Sequence, residues 1–367
     1  MQGPSLKVGS TRIADDEECF VIAEIGHNHQ GDLQQCKEMF VVAKRSGANA
    51  VKLQKRDNRV LFTRKMYESP YLHRNSYGNT YGAHREALEF GREQYQELQR
   101  YARELDIIFF STAFDIPSAD FLAELDMPAI KVASGDVNNI PLLQHIARIQ
   151  KPIFLSTGGA KMDDVVRAHE AISDINPQLC ILQCTSGYPA EFSELNLRVI
   201  ETFRRAFPDC VIGLSSHDNG IAMAAVGYAL GARVVEKHFT LNRAAKGTDH
   251  AFSLEPDGLR KLVRDLRRAK AAMGDGTKRR YPSEEAPLAK MGKKIVAARD
   301  LSMGHLIVAD DLAMKSPNDG LPPTDIGRVV GRRTTRTFSA DDNIELDGLD
   351  DAEVTELASR RRYEGAR

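Results

Sequence analysis

"FVIAEIGHNHQGDLQQCKEMFVVAKRSGANAVKLQK", Phe20 to Lys55, decides the fold. An apolar run, 20–26, gives way to polar residues and glycine. The stretch 32–47 then has helical periodicity, and a second apolar run follows at 50–55. Short apolar runs rich in β-branched residues read as strands buried on both faces. One helix between two such strands is the repeating unit of a parallel sheet.

The unit recurs. Further runs stand at 107–114 (IIFFSTAF), 129–136 (AIKVASGD), 152–159 (PIFLSTGG), 179–189 (LCILQCTSGYP), 211–218 (VIGLSSHD) and 233–240 (RVVEKHFT), making eight. Amphipathic stretches separate them, and the last ends at Gly274. Eight strand–helix units in this length predict an α/β fold, a (β/α)8 TIM barrel. An open doubly wound sheet is the alternative, but it would carry a glycine-rich phosphate turn after its first strand, and GxGxxG is absent. Residues 56–91 break the rhythm with a connection rich in Tyr, Arg, His and Asn. Its length points to function and its aromatics argue against disorder, so it reads as an ordered active-site insertion. The expected domains are a catalytic barrel at 1–274, a linker at 275–290, a small mostly-β domain at 291–348 and a charged tail at 349–367.

A net charge of −1 over 367 residues gives no field to recruit nucleic acid or membrane, so anionic substrates need locally placed cations. Five cysteines without a CxxC pair read as reduced thiols. No signal peptide and no apolar run of membrane-spanning length is visible, and a cytoplasmic protein is expected.

Barrel active sites form at the C-terminal ends of the strands. The polar residues there are Glu24, Asn28 and His29; Lys52 and Gln54; Ser111, Thr112 and Asp115; Lys131, Ser134 and Asp136; Ser156 and Thr157; Gln183, Thr185, Ser186 and Tyr188; Ser215, Ser216 and His217; and Glu236, Lys237, His238 and Asp249. Lys52 and Lys131 interrupt apolar runs, which costs free energy unless each meets an anion. With the hydroxyls around them they suit a phosphate or carboxylate; a structural Lys52–Glu24 pair is the plainer alternative. His217 and His238 end neighbouring strands, and two imidazoles with oxygen donors suit a divalent ion such as Mn²⁺ or Mg²⁺, though also Zn²⁺. The pair His27 and His29 is a weaker metal motif, because strand alternation is not assured beyond Gly26.

The chain resembles the sialic acid synthases, the N-acetylneuraminate synthases. The motifs that carry the resemblance are "AEIGHNHQGD", "AVKLQK", "STAFD", "KVASGDVNN", "FLSTGG", "LQCTSGYPAEFSELNLR", "GLSSHDNGI", "VVEKHFTL" and "KGTDHAFSLEP", and residues 291–348 resemble the family's antifreeze-like (SAF) domain. The resemblance implies condensation of phosphoenolpyruvate with N-acetylmannosamine, or with its 6-phosphate or a legionaminic or pseudaminic acid precursor. It implies His217 and His238 as ligands of a divalent metal, Mn²⁺ first and Mg²⁺ or Co²⁺ as substitutes. Phosphoenolpyruvate would be held by Lys52, Thr112, Lys131, Ser134, Ser156, Ser186 and Ser215. Gln54, Phe114, Asp136, Tyr188 and Asp249 would line the sugar pocket, and Glu24 would lie at the reacting centre. A homodimer in which the SAF domain caps the partner's barrel is also implied.

The sequence departs from many bacterial members of that family. Ser186 and Ser216 stand where those have Asn and Asp, and within "KSPND" Ser316, Pro317 and Asn318 stand where those have Arg-Pro-Gly, whose arginine crosses a dimer interface to the sugar in those members; Lys315 is the candidate substitute here. "LQCTSGYP", "SGDVNN" and "NSYGNTYGAHR" look more like the animal-type enzymes, which use the 6-phosphate. Arg56, Arg59, Arg64, Lys65 and Arg74 of the insertion are candidate partners for that phosphate, or a solvated face. The expected acceptor is N-acetylmannosamine, with its 6-phosphate as the alternative. A Schiff-base aldolase using Lys52, Lys131 or Lys237 is the rival class.

Overall fold

The computed structural model of the chain describes residues 3–351. Strands β1 (Ser5–Val8) and β2 (Thr11–Ala14) pair as an antiparallel hairpin. Eight parallel strands then close into a barrel: β3 (Phe20–Gly26), β4 (Ala50–Lys55), β5 (Ile108–Ala113), β6 (Ile130–Val132), β7 (Ile153–Ser156), β8 (Leu179–Cys184), β9 (Val211–Ser216) and β10 (Val234–His238), with β10 returning beside β3. The closure removes the doubly wound alternative.

Alternation along each strand divides the residues between two cores. Val21, Ala23 and Ile25 face outward, into one cluster with Phe40, Tyr95 and Leu98 of the surrounding helices. Phe20 and Ile22 face inward, with Ala50, Phe110, Phe154, Leu182 and Val234. Both faces are dry, which is why the strands read as continuous apolar runs. The hairpin had no counterpart in the sequence reading; its Leu6, Val8 and Ile13 join the inner cluster and close the barrel where the strands begin.

Pairing register builds the other end. Glu24 lies opposite Lys52 on β4 and opposite His238 on β10. The register slips between Glu24 and Gly26, and Gly26 takes φ 54°. A Cβ there would sit 3.1 Å from Glu24 Oε1 and 3.2 Å from Gln54 Nε2, so the position takes glycine on both counts. Asp115 proves to be a helix cap: its carboxylate accepts from the Ser118 N–H at 2.7 Å and starts the helix Ile116–Glu124. The long insertion is ordered, with short helices Asn58–Leu61, Arg64–Tyr67 and Tyr81–Glu86 and an aromatic cluster of Phe62, Tyr71, Tyr77, Tyr81 and His84.

The chain divides into two compact units between Asp275 and Gly276. The expected linker holds a short helix, Glu285–Met291, and belongs to the second unit. That unit pairs β11 (Lys294–Ala297) with β12 (Leu312–Lys315) antiparallel, around a core of Ile295, Ala297, Leu301, Ile307, Val329, Phe338, Ile344 and Leu349. Buried Asp311 organises it, bridging Arg299 at 2.6 Å and His305 at 2.8 Å. Leu349 is buried, so the unit runs past residue 348; most of the expected tail, 352–367, lies outside the described residues. Among the described residues all five cysteines are free and buried, and no helix is long and apolar enough to cross a membrane.

Candidate active site

Above the apolar layers, the next inward position is polar on every strand but β8, where it is Cys184. This puts Glu24, Lys52, Thr112, Lys131, Ser156, Ser215 and Glu236 on the floor of a cavity of about 690 Å³. Every residue that the family resemblance places in the site lines this cavity except Asp136; of the other strand-end residues, Glu236 lines it and Asn28, His29, Ser111, Asp115, Thr157, Gln183, Thr185, Ser216 and Lys237 do not. Strand β6 ends at Val132 and the chain turns through a 3-10 helix, Ser134–Asp136, so alternation no longer aims Asp136 inward. Its carboxylate accepts from Asn139 Nδ2 at 3.1 Å instead.

The floor is an alternating row of charges. Lys52 pairs with Glu24 at 2.5 Å and lies 3.9 Å from Glu236; Lys131 lies 3.6 Å from Glu236. Lys52 also donates to Thr112 Oγ1 at 2.8 Å, and Ser215 donates to Glu236 at 3.2 Å. The plainer expectation of a Lys52–Glu24 pair is therefore met, and the cavity is met with it. Burial pushes Glu24 up, more than Lys52 brings it down. Burial pushes Glu236 the same way, but Lys131 and Lys52 outweigh it and hold its pKa at about 2. Glu236 was legible as an inward residue, since it shares the face of His238 at a spacing of two. Lys237, on the opposite face, is bound to Asp218 at 3.0 Å away from the cavity, which removes it as a nucleophile there.

His217 and His238 meet as expected, their ring centres 5.3 Å apart. Phe252, which the sequence reading missed, packs edge-on against both, at 6.0 and 4.9 Å. His217 Nδ1 donates to the Thr185 carbonyl at 2.9 Å, which leaves Nε2 as the lone-pair nitrogen. Burial works against a charged His217, yet contact with Cys184 and that carbonyl draws its pKa up. Burial pushes His238 down to about 3, against the pull of Asp249, so its ring is neutral at pH 7. His238 Nδ1 is buried without a hydrogen-bond partner, 3.8 Å from Asp249. Among the described residues no group of three or more His, Cys, Asp or Glu is placed to hold a metal. Two imidazoles, one of them with an orphaned nitrogen, fit a divalent ion only as a partial donor set, to be completed by oxygen ligands from outside the chain.

On another wall, Ser134 Oγ accepts from the Gly158 N–H at 2.9 Å. A Cβ at Gly158 would fall 2.0 Å from Ser186 Oγ, so glycine keeps that hydroxyl in place. Ser156 Oγ and Glu236 Oε2 are buried without partners. Such atoms are costly unless a ligand completes them. Tyr188, 58% exposed, stands over His217 with ring centres 4.3 Å apart.

The opening motif sorts into roles. Asn28 ties its loop to the barrel seam, donating to the Phe239 carbonyl at 2.9 Å and to Ser253 at 3.0 Å. His29 stacks on Phe90 at 4.1 Å and does not line the cavity. Of the insertion cations, Arg59, Arg64, Lys65 and Arg74 are exposed, whereas Arg56 lines the cavity with Arg85, which the sequence reading had passed over. Arg85 sits on a helix of the insertion, so only tertiary packing reveals where it points.

Comparison with known proteins agrees with the fold and gives the family. The family model of the NeuB family matches residues 39–278, and that of the SAF domain matches 294–350. The N-acetylneuraminate-9-phosphate synthase of Homo sapiens is 43% identical over 90% of this chain and 93% of that protein. The N,N'-diacetyllegionaminic acid synthase of Legionella pneumophila is 35% identical over 88% of this chain and 92% of that protein. The crystal structure of the N-acetylneuraminic acid (sialic acid) synthetase of Leptospira borgpetersenii, in complex with citrate, superposes with a TM-score of 0.68 at 30% identity, covering 78% of this chain and 95% of that one.

Proposed function

We propose, from the premise that this chain belongs to the NeuB family and is an enzyme of the sialic acid synthase type with a SAF domain, that it condenses phosphoenolpyruvate with N-acetylmannosamine 6-phosphate. The acceptor expected from the sequence is the free sugar. Likeness to relatives named 9-phosphate synthases, at 43 and 42% identity, favours the phosphorylated alternative.

One observation carries the reading: two buried lysines and orphaned hydroxyl and carboxylate atoms share one cavity with two imidazoles on adjacent strands. Lys131, with Ser134, Ser156 and Ser186 beside it, would hold the phosphate and carboxylate of phosphoenolpyruvate. Lys52, paired with Glu24, would present its N–H groups to the same anion. Gln54, Phe114, Tyr188 and Asp249 would hold the acceptor in its open-chain form. Carbon 3 of phosphoenolpyruvate bonds to the sugar's aldehyde carbon, water adds at carbon 2, and phosphate leaves with its bridging oxygen. Glu24, its pKa raised by burial, is suited to exchange a proton with that water. His217 and His238 would hold a divalent ion, Mn²⁺ first, which supplies Lewis-acid polarisation of the aldehyde when bound. The neutral His238 ring and the Thr185-anchored His217 ring are the groups this chain provides for it. The protein is expected to work as a homodimer whose SAF domains cap partner barrels. With Ser316 in place of the arginine of other members, Lys315 is the candidate to reach the sugar.

The test uses phosphoenolpyruvate labelled with ¹⁸O at the bridging position, the 6-phosphorylated sugar and Mn²⁺. Label in the released phosphate, with one 2-keto acid formed per phosphate, supports the reading. Label retained in the keto acid, or borohydride trapping of pyruvate on a lysine, rejects it in favour of other chemistry.

A further inference from the structure

His27 belongs to a metal-like motif in the sequence, but its neighbours in the structure are cations. Its ring lies between two guanidinium groups at the wall of the cavity: Arg56 Nη1 is 3.1 Å from Nε2, and Arg85 Nη1 is 3.4 Å from Nδ1. Burial, then the charges of Arg56 and Arg85, keep His27 neutral. A neutral imidazole has one lone pair, so it accepts from only one of the two. The other guanidinium faces a ring N–H.

Neither cation is fully paired elsewhere. Arg56 stacks over Phe114 at 3.8 Å and donates to Gln54 Oε1 at 2.6 Å. Its nearest carboxylate, Glu89 Oε1, is 3.8 Å away, while Glu89 Oε2 takes Lys55 at 3.2 Å and the Arg56 N–H at 3.3 Å. Arg85 is held by the Tyr81 hydroxyl at 3.0 and 2.8 Å, and among the described residues it pairs with no carboxylate. Of the carboxylates around them, Glu89, Asp136 and Asp249, only Glu89 comes within ion-pair distance of Arg56, and Lys55 shares it. The lysines of the floor, by contrast, each have a carboxylate partner.

We infer that Arg56 and Arg85 form an anion subsite for the terminal phosphoryl group of the acceptor sugar, with His27 as the positioning residue that spaces the two guanidinium forks. The subsite rests on the acceptor reading given above. Its place follows from contact: Arg56 touches Gln54 and Phe114, the residues assigned to the sugar. A phosphoryl dianion matches two guanidinium forks in charge and geometry and offers His27's neighbours the acceptor atoms they lack.

The experiment measures steady-state kinetics of the full chain, with saturating Mn²⁺, on the 6-phosphorylated and free sugars, for wild type, Arg85→Gln and Arg56→Gln. Charge-assisted hydrogen bonds of this kind predict a loss of about tenfold to a hundredfold in kcat/KM for the phosphorylated sugar in each variant. The KM for phosphoenolpyruvate should change less than about twofold, and kcat/KM should fall further for the phosphorylated sugar than for the free one; Arg56→Gln also loses its contacts to Gln54 and Phe114, so for that variant the ratio between the two sugars is the readout. His27→Phe should raise KM for the phosphorylated sugar with kcat kept, and His27→Gln should restore part of the loss. Should a glutamine variant misfold, Arg85→Lys and Arg56→Lys keep the charge, lose the fork and carry the same comparison. A wild type indifferent to the phosphate overturns the acceptor reading and the subsite together. A wild type that prefers the phosphate, with variants that keep the preference, overturns the subsite alone. A rise in the KM for phosphoenolpyruvate in place of the sugar's also overturns it, because the anion held would then be the other substrate's.

Discussion

Glu236→Gln removes one charge from the floor and keeps its shape. Glu236 stands between two buried lysines, 3.6 Å from Lys131 and 3.9 Å from Lys52. At an effective dielectric of about 20, each contact is worth roughly 4–5 kcal/mol before desolvation. Holding the carboxylate at about 2, against an ordinary 4.5, corresponds to roughly 3 kcal/mol. Lys52 keeps Glu24 in the variant, but Lys131 has no other carboxylate within ion-pair reach among the described residues. The expected loss is therefore about 3 kcal/mol, as for other buried pairs broken on one side. That should appear as a fall of about 5–10 °C in the melting temperature of the full chain at pH 7. The sign with pH is fixed. A folded-state pKa below the free value gives stabilisation that is full above 4.5 and lost as pH falls toward 2, so the gap between wild type and variant should close over that range. Saturating phosphoenolpyruvate should raise the melting temperature of the variant more than that of wild type, since an anion then supplies the missing charge. A variant that melts with wild type at pH 7, or a gap that persists unchanged at low pH, would refute the charge-row account.

Other perturbations test other levels. Gly26→Ala forces a side chain into a left-handed conformation against Glu24 and Gln54, and should cost about 1–2 kcal/mol and most of the activity, read by urea unfolding and phosphate release. Ile13→Ala opens the plug of the barrel and should cost about 2–4 kcal/mol with KM values kept, because the hairpin is remote from the cavity. Asp311→Asn should destabilise the full chain by about 2 kcal/mol at pH 7; since Asp311 is held at about 2, below its usual 3.8, the difference from wild type should shrink as pH falls from about 4 toward 2 in thermal melts.

The barrel was legible because each strand is buried on both sides, and alternation then told which residues look inward: Glu24, Lys52, Thr112, Lys131, Ser215 and His238 all sit where a spacing of two puts them. Alternation failed where the strand ended early, at Asp136. The hairpin was missed because Leu6, Val8 and Ile13 form no long apolar run; their value appears only when closure leaves the barrel end to be filled. Asp115 looked chemical and is a cap, since carboxylates at strand–helix junctions serve both purposes. Arg85 and Phe252 come from segments whose periodicity says nothing about the cavity, and the dual contact of His27 needs the insertion folded over the barrel mouth.

The most direct measurement is phosphate release, with the 2-keto acid measured in parallel, from phosphoenolpyruvate and a panel of acceptors: N-acetylmannosamine, its 6-phosphate, and the legionaminic and pseudaminic acid precursors, each with Mn²⁺. The account predicts equal amounts of phosphate and keto acid, the highest kcat/KM with the 6-phosphate, and loss of turnover in His217→Ala and His238→Ala. Equal or better turnover of the free sugar would contradict the acceptor assignment, and no product with any member of the panel would contradict the central claim.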